Sequence, residues 1–203
     1  MRISGIEKRK RQARYDVYAD GVYLATLSDE AILTHRLKVG MELPEGELVA
    51  IVEEAAKQDA VNCILTLLSG KAYTCKMARD KLREKGFGKD AVDYAVAKML
   101  DYGYLDDLAY AEEYWEQTKT SRSKRRVRQE LWQKGIADSI VQSVLKDDCE
   151  VEACTSNLRK KVRGRVLDEG MRLRVMRSLV SQGFDYDTVK RAMAEYEEET
   201  SND

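Results

Sequence analysis

Apolar positions in the C-terminal two thirds of the chain fall at three- and four-residue spacing, and one short phrase recurs among them. Leu82 stands before Gly86-Phe87, Leu131 before Gly135-Ile136, and Leu179 before Gly183-Phe184. Further apolar residues follow at constant offsets: Val92 and Val96, Val141 and Leu145, Val189 and Met193. The glycines are 49 and 48 residues apart, a period too long for two short helices and suited to three. In each copy the glycine is expected to end a helix in the left-handed conformation, with the next apolar residue folding back over the cap. One such unit cannot bury its own apolar face well, so the pattern predicts tandem three-helix repeats stacked in an elongated array.

The first 70 residues read differently. Arg14 to Tyr18 and Val22 to Leu27 are β-favouring runs around Asp20-Gly21, a pair that accepts the positive φ values of a tight hairpin turn. Ile3 to Ile6 adds a candidate third strand. Ser28, Asp29 and Glu30 predict a capped short helix ending near Gly40, and Pro44-Glu45 opens a longer one that Gly70 stops. That helix carries Leu48, Val49, Val52, Ala55, Ala56, Ala60, Cys63, Ile64 and Leu67 at helical spacing, a stripe that should pack on the first repeat.

The resulting organisation has a hairpin and leader helices over 1–70, a three-helix repeat over 71–118, a second over 119–165, and an incomplete third repeat with an acidic tail over 166–203. Helices are expected near 74–85, 89–102 and 106–118, then near 121–134, 138–148 and 150–163. The third repeat lacks a clear third helix, and Glu195-Tyr196-Glu197-Glu198-Glu199 reads as a polar terminal cap or frayed tail. Pro44 is the one proline, so a long proline-free stretch rich in Ala, Leu, Glu, Lys and Arg supports a mainly α fold.

The formal net charge of -1 conceals segregation. Residues 119–177 hold 16 Lys or Arg against 8 Asp or Glu, and residues 1–14 are also basic. One cluster is Arg122, Lys124, Arg125, Arg126 and Arg128; another is Arg159, Lys160, Lys161, Arg163 and Arg165, with Arg172, Arg174 and Arg177 beyond. A polyanion such as single- or double-stranded DNA is one candidate partner, because each neutralised phosphate releases counterions. An acidic protein surface serves equally. No aromatic interleaves the 122–128 run as a single-strand stacking platform requires, which argues against pure nucleic-acid readout.

Catalytic chemistry has no recognisable motif here: there is no Gly-rich phosphate loop, no HExxH and one histidine, His35. Cys63, Cys75, Cys149 and Cys154 form no CxxC pair and are expected to be reduced thiols. Asp106 and Asp107 are expected to cap a helix rather than hold a metal. Tyr102, Tyr104, Tyr110, Tyr114 and Trp115 are expected to pack between helices, and Trp132 to be at least partly buried between units. No enzyme, cofactor, metal or membrane partner is expected, and the chain reads as a cytoplasmic monomer without a membrane span or signal peptide.

Three phrases occur in order: Leu82-Arg83-Glu84-Lys85-Gly86-Phe87; Gly103-Tyr104-Leu105-Asp106-Asp107 with Ala109-Tyr110-Ala111; and Glu130-Leu131-Trp132-Gln133-Lys134-Gly135-Ile136. In these the chain resembles the RecX family, bacterial regulators of the RecA recombinase, over about residues 71–195. It departs from the family at Lys71 to Lys76, where an Arg-x-x-Ser lead-in is usual, and keeps that lead-in at Arg122-Ser123. The resemblance implies a non-enzymatic modulator that lies in the groove of the RecA–DNA filament and limits filament assembly, recombination and SOS-type activities. A general DNA-binding helical repeat and a scaffold binding neither DNA nor recombinase are the other readings.

Overall fold

The computed structural model of the protein describes residues 1–10, 14–146, 149–163, 165 and 167–201. The chain divides into two compact units, Met1–Leu105 and Asp106–Asp203.

The first unit begins with an antiparallel sheet of β1 (Ile3–Lys8), β2 (Arg14–Ala19) and β3 (Val22–Ser28), in that order. Asp20 and Gly21 turn the chain with φ of 49° and 81°, and Ala19 pairs with Val22 across the turn. Alternation puts Ile3, Val17 and Leu27 on the inner face, against α2 (Glu45–Leu68). Between them α1 (Asp29–Thr34) is capped by the Ser28 hydroxyl, which accepts from the Ala31 amide. It ends earlier than the expected Gly40, because Arg36 takes a left-handed φ of 51° and the Leu37 amide donates back to the Ile32 carbonyl.

Helix α2 serves two cores. Leu48 and Ala55 pack on the sheet, whereas Ala60, Val61 and Ile64 pack with α3 (Cys75–Glu84) and α4 (Lys89–Asp101) around Leu82, Val92, Val96 and Met99. The long stripe read from the sequence therefore joins the sheet and the first three-helix group through one rigid element.

The second unit holds two further groups. Helices α5 (Asp107–Thr118), α6 (Lys124–Gln133) and α7 (Asp138–Val144) enclose Trp115, Val127, Leu131, Ile136 and Val141. Helices α8 (Glu150–Val162), α9 (Glu169–Ser181) and α10 (Tyr186–Ser201) enclose Cys154, Leu158, Leu179, Phe184, Val189 and Met193. The fold is thus mainly α with three-helix repeats, as the periodicity predicts, but the repeats are phased differently from the 71–118 and 119–165 grouping. The 106–118 helix opens the second group instead of closing the first, and α8 opens the third, which is complete. The phrase marks the turn between the last two helices of each group, and its period does not say which flanking helix supplies the third apolar face. The acidic stretch from Glu195 is helical and continues α10 to Ser201. Helix α7 stops at Val144; the expected residues 147–148 lie outside the described part.

The repeated phrase has one backbone geometry. The amides of Phe87, Ile136 and Phe184 donate to the carbonyls of Leu82, Leu131 and Leu179 at 3.2, 3.1 and 3.4 Å. Gly86, Gly135 and Gly183 stand between them at φ of 88°, 85° and 95°. The three leucines are fully buried. Leu-x-x-x-Gly-φ is therefore the helix C-cap itself: its first and last residues are hydrogen-bonded and packed together around the glycine that permits the turn.

Candidate partner-binding surface

Helix α6 starts directly behind Ser123, whose hydroxyl accepts from the Arg126 amide and caps the helix. Thr74 does the same for α3, accepting from Met77, so the unusual lead-in at 71–76 preserves the capping chemistry with a different residue. The Ser123 hydroxyl also donates to the Gln182 carbonyl at 2.8 Å, tying α6 to the turn between α9 and α10. Asn157 of α8 donates to the carbonyl of Ser121, and Glu150 accepts from the Lys124 amide. The second and third helix groups are thereby held together by polar contacts around the start of α6.

Glu130 decides which basic residues of this region stay open. Its carboxylate accepts from Arg122, from Arg126 Nε at 3.1 Å and from the Tyr114 hydroxyl at 2.8 Å, while Arg122 also donates to Tyr114 at 2.7 Å. Partial burial works against the Glu130 charge, but the hydrogen bonds from Tyr114, Arg126 and Arg122 outweigh it and hold the carboxyl below its usual range. Burial and the bond to Glu130 push the Tyr114 hydroxyl up. Arg122 and Arg126 are consequently parts of an internal network. Lys124 is partly buried where its backbone meets Glu150, and Arg125 and Arg128 are exposed with no ion pair among the described residues.

The second cluster divides in the same way. Glu199 pairs with Arg159, and Glu197 with Arg172 at 2.7 Å, so the acidic end of α10 neutralises part of the basic face beside it. Arg174 donates to the carbonyl of Gly170. Arg163 closes α8 in the left-handed region at φ 50°, Lys161 is partly buried, and Lys160, Arg163, Arg165 and Arg177 are exposed. An open cleft of about 420 Å³ joins Arg125, Arg126 and Gln129 of α6 to Val180, Ser181, Gln182 and Gly183.

Two aromatic expectations change. Trp132 is 58% exposed, because Leu131 and Ile136 take the inward positions of the phrase and the neighbouring residue must point outward. Of the aromatic cluster Trp115 is buried and Tyr110 and Tyr114 are partly buried against the same core, stacked beneath Lys134, whereas Tyr102 and Tyr104 are exposed and meet edge to face. The Tyr104 amide donates a hydrogen bond to the Met99 carbonyl at 2.9 Å, in a turn where Gly103 takes a φ of 70°. Asp106 caps α5, accepting from Leu108 and Ala109, and Asp107 lies in the first helical turn. The four cysteines are free thiols, and no three-residue metal-ligand group occurs among the described residues. No described helix is long and apolar enough to cross a membrane.

Sequence reading missed Glu130, Glu197, Glu199 and Gln129 as determinants of this surface. The Arg126–Glu130 pair has the i,i+4 spacing of a helical ion pair and was detectable in principle. The pairs from α10 join residues 25 and 40 positions apart and had no local signal.

Residues 60–99 match the model of the first RecX three-helix domain and residues 106–145 that of the second, in the same phase as the packed helix groups. The regulatory protein RecX of Caldanaerobacter subterraneus subsp. tengcongensis is 29% identical over 194 residues, covering 95% of this chain and 98% of its own length. That of Lacticaseibacillus paracasei is 28% identical, covering 95% and 83%. A crystal structure of a regulatory protein RecX superposes with a TM-score of 0.68 at 26% identity, over 95% of this chain and 98% of its own. RecX from Lactobacillus salivarius gives 0.62 at 25% identity, over 69% and 96%. Both domain models, near-full-length relatives and solved folds agree with the capped three-helix groups described above, and the chain belongs to the RecX family.

Proposed function

We propose that this protein is a non-enzymatic modulator of the RecA recombinase, binding in the groove of the RecA–DNA filament and limiting its assembly, recombination and SOS-type activities. The observation that carries this reading is the near-full-length similarity to proteins named regulatory protein RecX. The physical support is a set of exposed cations, Arg125, Arg128, Lys160 and Arg177 on helices and Arg163 and Arg165 just past the end of α8, with α6 and α8 held by internal polar contacts. Such a surface meets an anionic partner with little reorganisation. The reading places no chemistry on the chain itself.

Titrating the purified protein into RecA-dependent ATP hydrolysis stimulated by single-stranded DNA tests the proposal. Progressive inhibition is expected, and a flat response over a wide titration removes the reading. The DNA-binding alternative has its own support in the Lys160 to Arg165 cations. It predicts tight, steeply salt-dependent binding to bare DNA with no effect on RecA.

A further inference from the structure

Helix α6, KRRVRQELWQ, contains one acid, Glu130, and that acid is turned toward Tyr114, Arg122 and Arg126. Arg125, Arg128, Gln129 and Trp132 recur at three, four and seven positions and therefore share a face, and all four are exposed. This face has two arginines without ion pairs among the described residues, an amide, an indole and no carboxylate. Its Arg125 and Gln129 line the cleft completed by Val180, itself 43% exposed, with exposed Arg177 one turn earlier on α9. The sole acid of α9, Glu169, lies at its opposite end.

We infer that this face of α6, with the cleft beside Val180, is a docking site for an acidic amphipathic segment of a protein partner, with Trp132 as its apolar anchor. The inference rests on the reading that the partner is a protein assembly and names the part of it that is recognised. Charge complementarity selects an acidic ligand, since Arg125, Arg128 and Arg177 are exposed with no ion pair among the described residues. The apolar component selects a protein over a nucleic acid. A single strand stacks successive bases on successive aromatic rings, and Trp132 is the one aromatic here, accompanied by aliphatic Val180. Leucine- or valine-like side chains suit exposed Trp132 and Val180, and carboxylates suit the arginines around them. Arginine and tryptophan are also the residue types that most often dominate interface energies. Gln129 between them offers both a donor and an acceptor to a segment's backbone.

The chain has two tryptophans, and Trp115 is only 3% exposed, so quenching of intrinsic fluorescence by acrylamide reports mainly on Trp132. The test uses the full chain and a synthetic amphipathic peptide of glutamate and leucine, compared with polyglutamate and an oligothymidylate of equal charge. The peptide is expected to bind more tightly than either control and to shield Trp132 from acrylamide. Trp132→Ala and the pair Arg125→Glu with Arg128→Glu should each weaken the peptide by about tenfold or more, as for central anchors of an interface. Circular dichroism should be unchanged in these variants. Peptide affinity unaltered by Trp132→Ala overturns the inference, as does oligothymidylate displacing the peptide and quenching Trp132. The recombinase assay separates the two claims. A wild-type chain that inhibits RecA while ignoring the peptide loses this inference alone; one that binds the peptide through Trp132 without touching RecA keeps it and loses the regulator reading.

Discussion

Ser123 and Gly183 stand so close that a Cβ on the glycine would lie 2.7 Å from the serine hydroxyl oxygen. Gly183 is thus required twice, for its φ of 95° and for the contact that lets Ser123 reach the Gln182 carbonyl. Gly86, in the same phrase, has only the first requirement, because nothing lies within 4 Å of its missing side chain.

A comparison of alanine substitutions separates these effects. Gly86→Ala should cost about 1 to 2 kcal/mol, the penalty of a left-handed non-glycine residue. Gly183→Ala should cost more, and the excess should shrink in a Ser123→Ala background, where the opposing oxygen is gone. Urea denaturation of the four members of that double-mutant cycle measures the coupling; additive effects within error contradict the close approach.

Leu131→Ala should destabilise by about 2 to 5 kcal/mol, because the side chain is fully buried and also forms one side of the C-cap. Arg125→Glu and Arg128→Glu should change stability by less than about 0.5 kcal/mol, as exposed substitutions without partners do. Arg126 differs from both, since it donates to Glu130. Thermal melts of the individual variants distinguish the three cases.

Acid should weaken the second unit through Glu130. Its carboxyl titrates lower in the folded chain than its ordinary 4.5, despite partial burial, because of the bonds from Tyr114, Arg126 and Arg122. A lowered folded value means that the contribution is fully present above about pH 4.5 and is lost as pH falls through the folded value. Glu130→Gln should be less stable than wild type at neutral pH, and the difference should narrow on acidification below that point. Stability measured by urea titration at several pH values checks both the sign and the window.

Burial pushes the Cys154 thiol up to about 12, with Glu150 and Asp185 adding to the shift. Almost no thiolate then exists at neutral pH, and the side chain lies in the core of the third helix group. Mass spectrometry after brief alkylation of the native chain should find Cys154 unmodified, with labelling appearing only in denaturant. Rapid native labelling contradicts the burial of this α8 residue in that core.

Replacing Glu197 and Glu199 by glutamine frees Arg172 and Arg159 while removing two negative charges. Affinity for an anionic partner should rise, with a stability change within the range of about 0 to 1 kcal/mol usual for exposed pairs. Titration against a labelled oligonucleotide at two salt concentrations reads the change, which should diminish at high salt.

The hairpin, the capped helices and the repeated turns were legible in the sequence because each is a local device. Asp20-Gly21 sets its own backbone angles, Asp106 reaches its own first turn, and Leu131 meets Ile136 five residues away. Period and composition therefore determined a mainly α chain of three-helix repeats behind a small sheet, and the order of its phrases determined the family. Only the tertiary structure decided how the helices are grouped, because a buried stripe does not reveal which neighbour covers it. It also decided which cations remain open. Ion pairs from α10 and the burial of Glu130 against Tyr114 depend on contacts between distant segments, and the outward turn of Trp132 follows from which side of α6 the core claims.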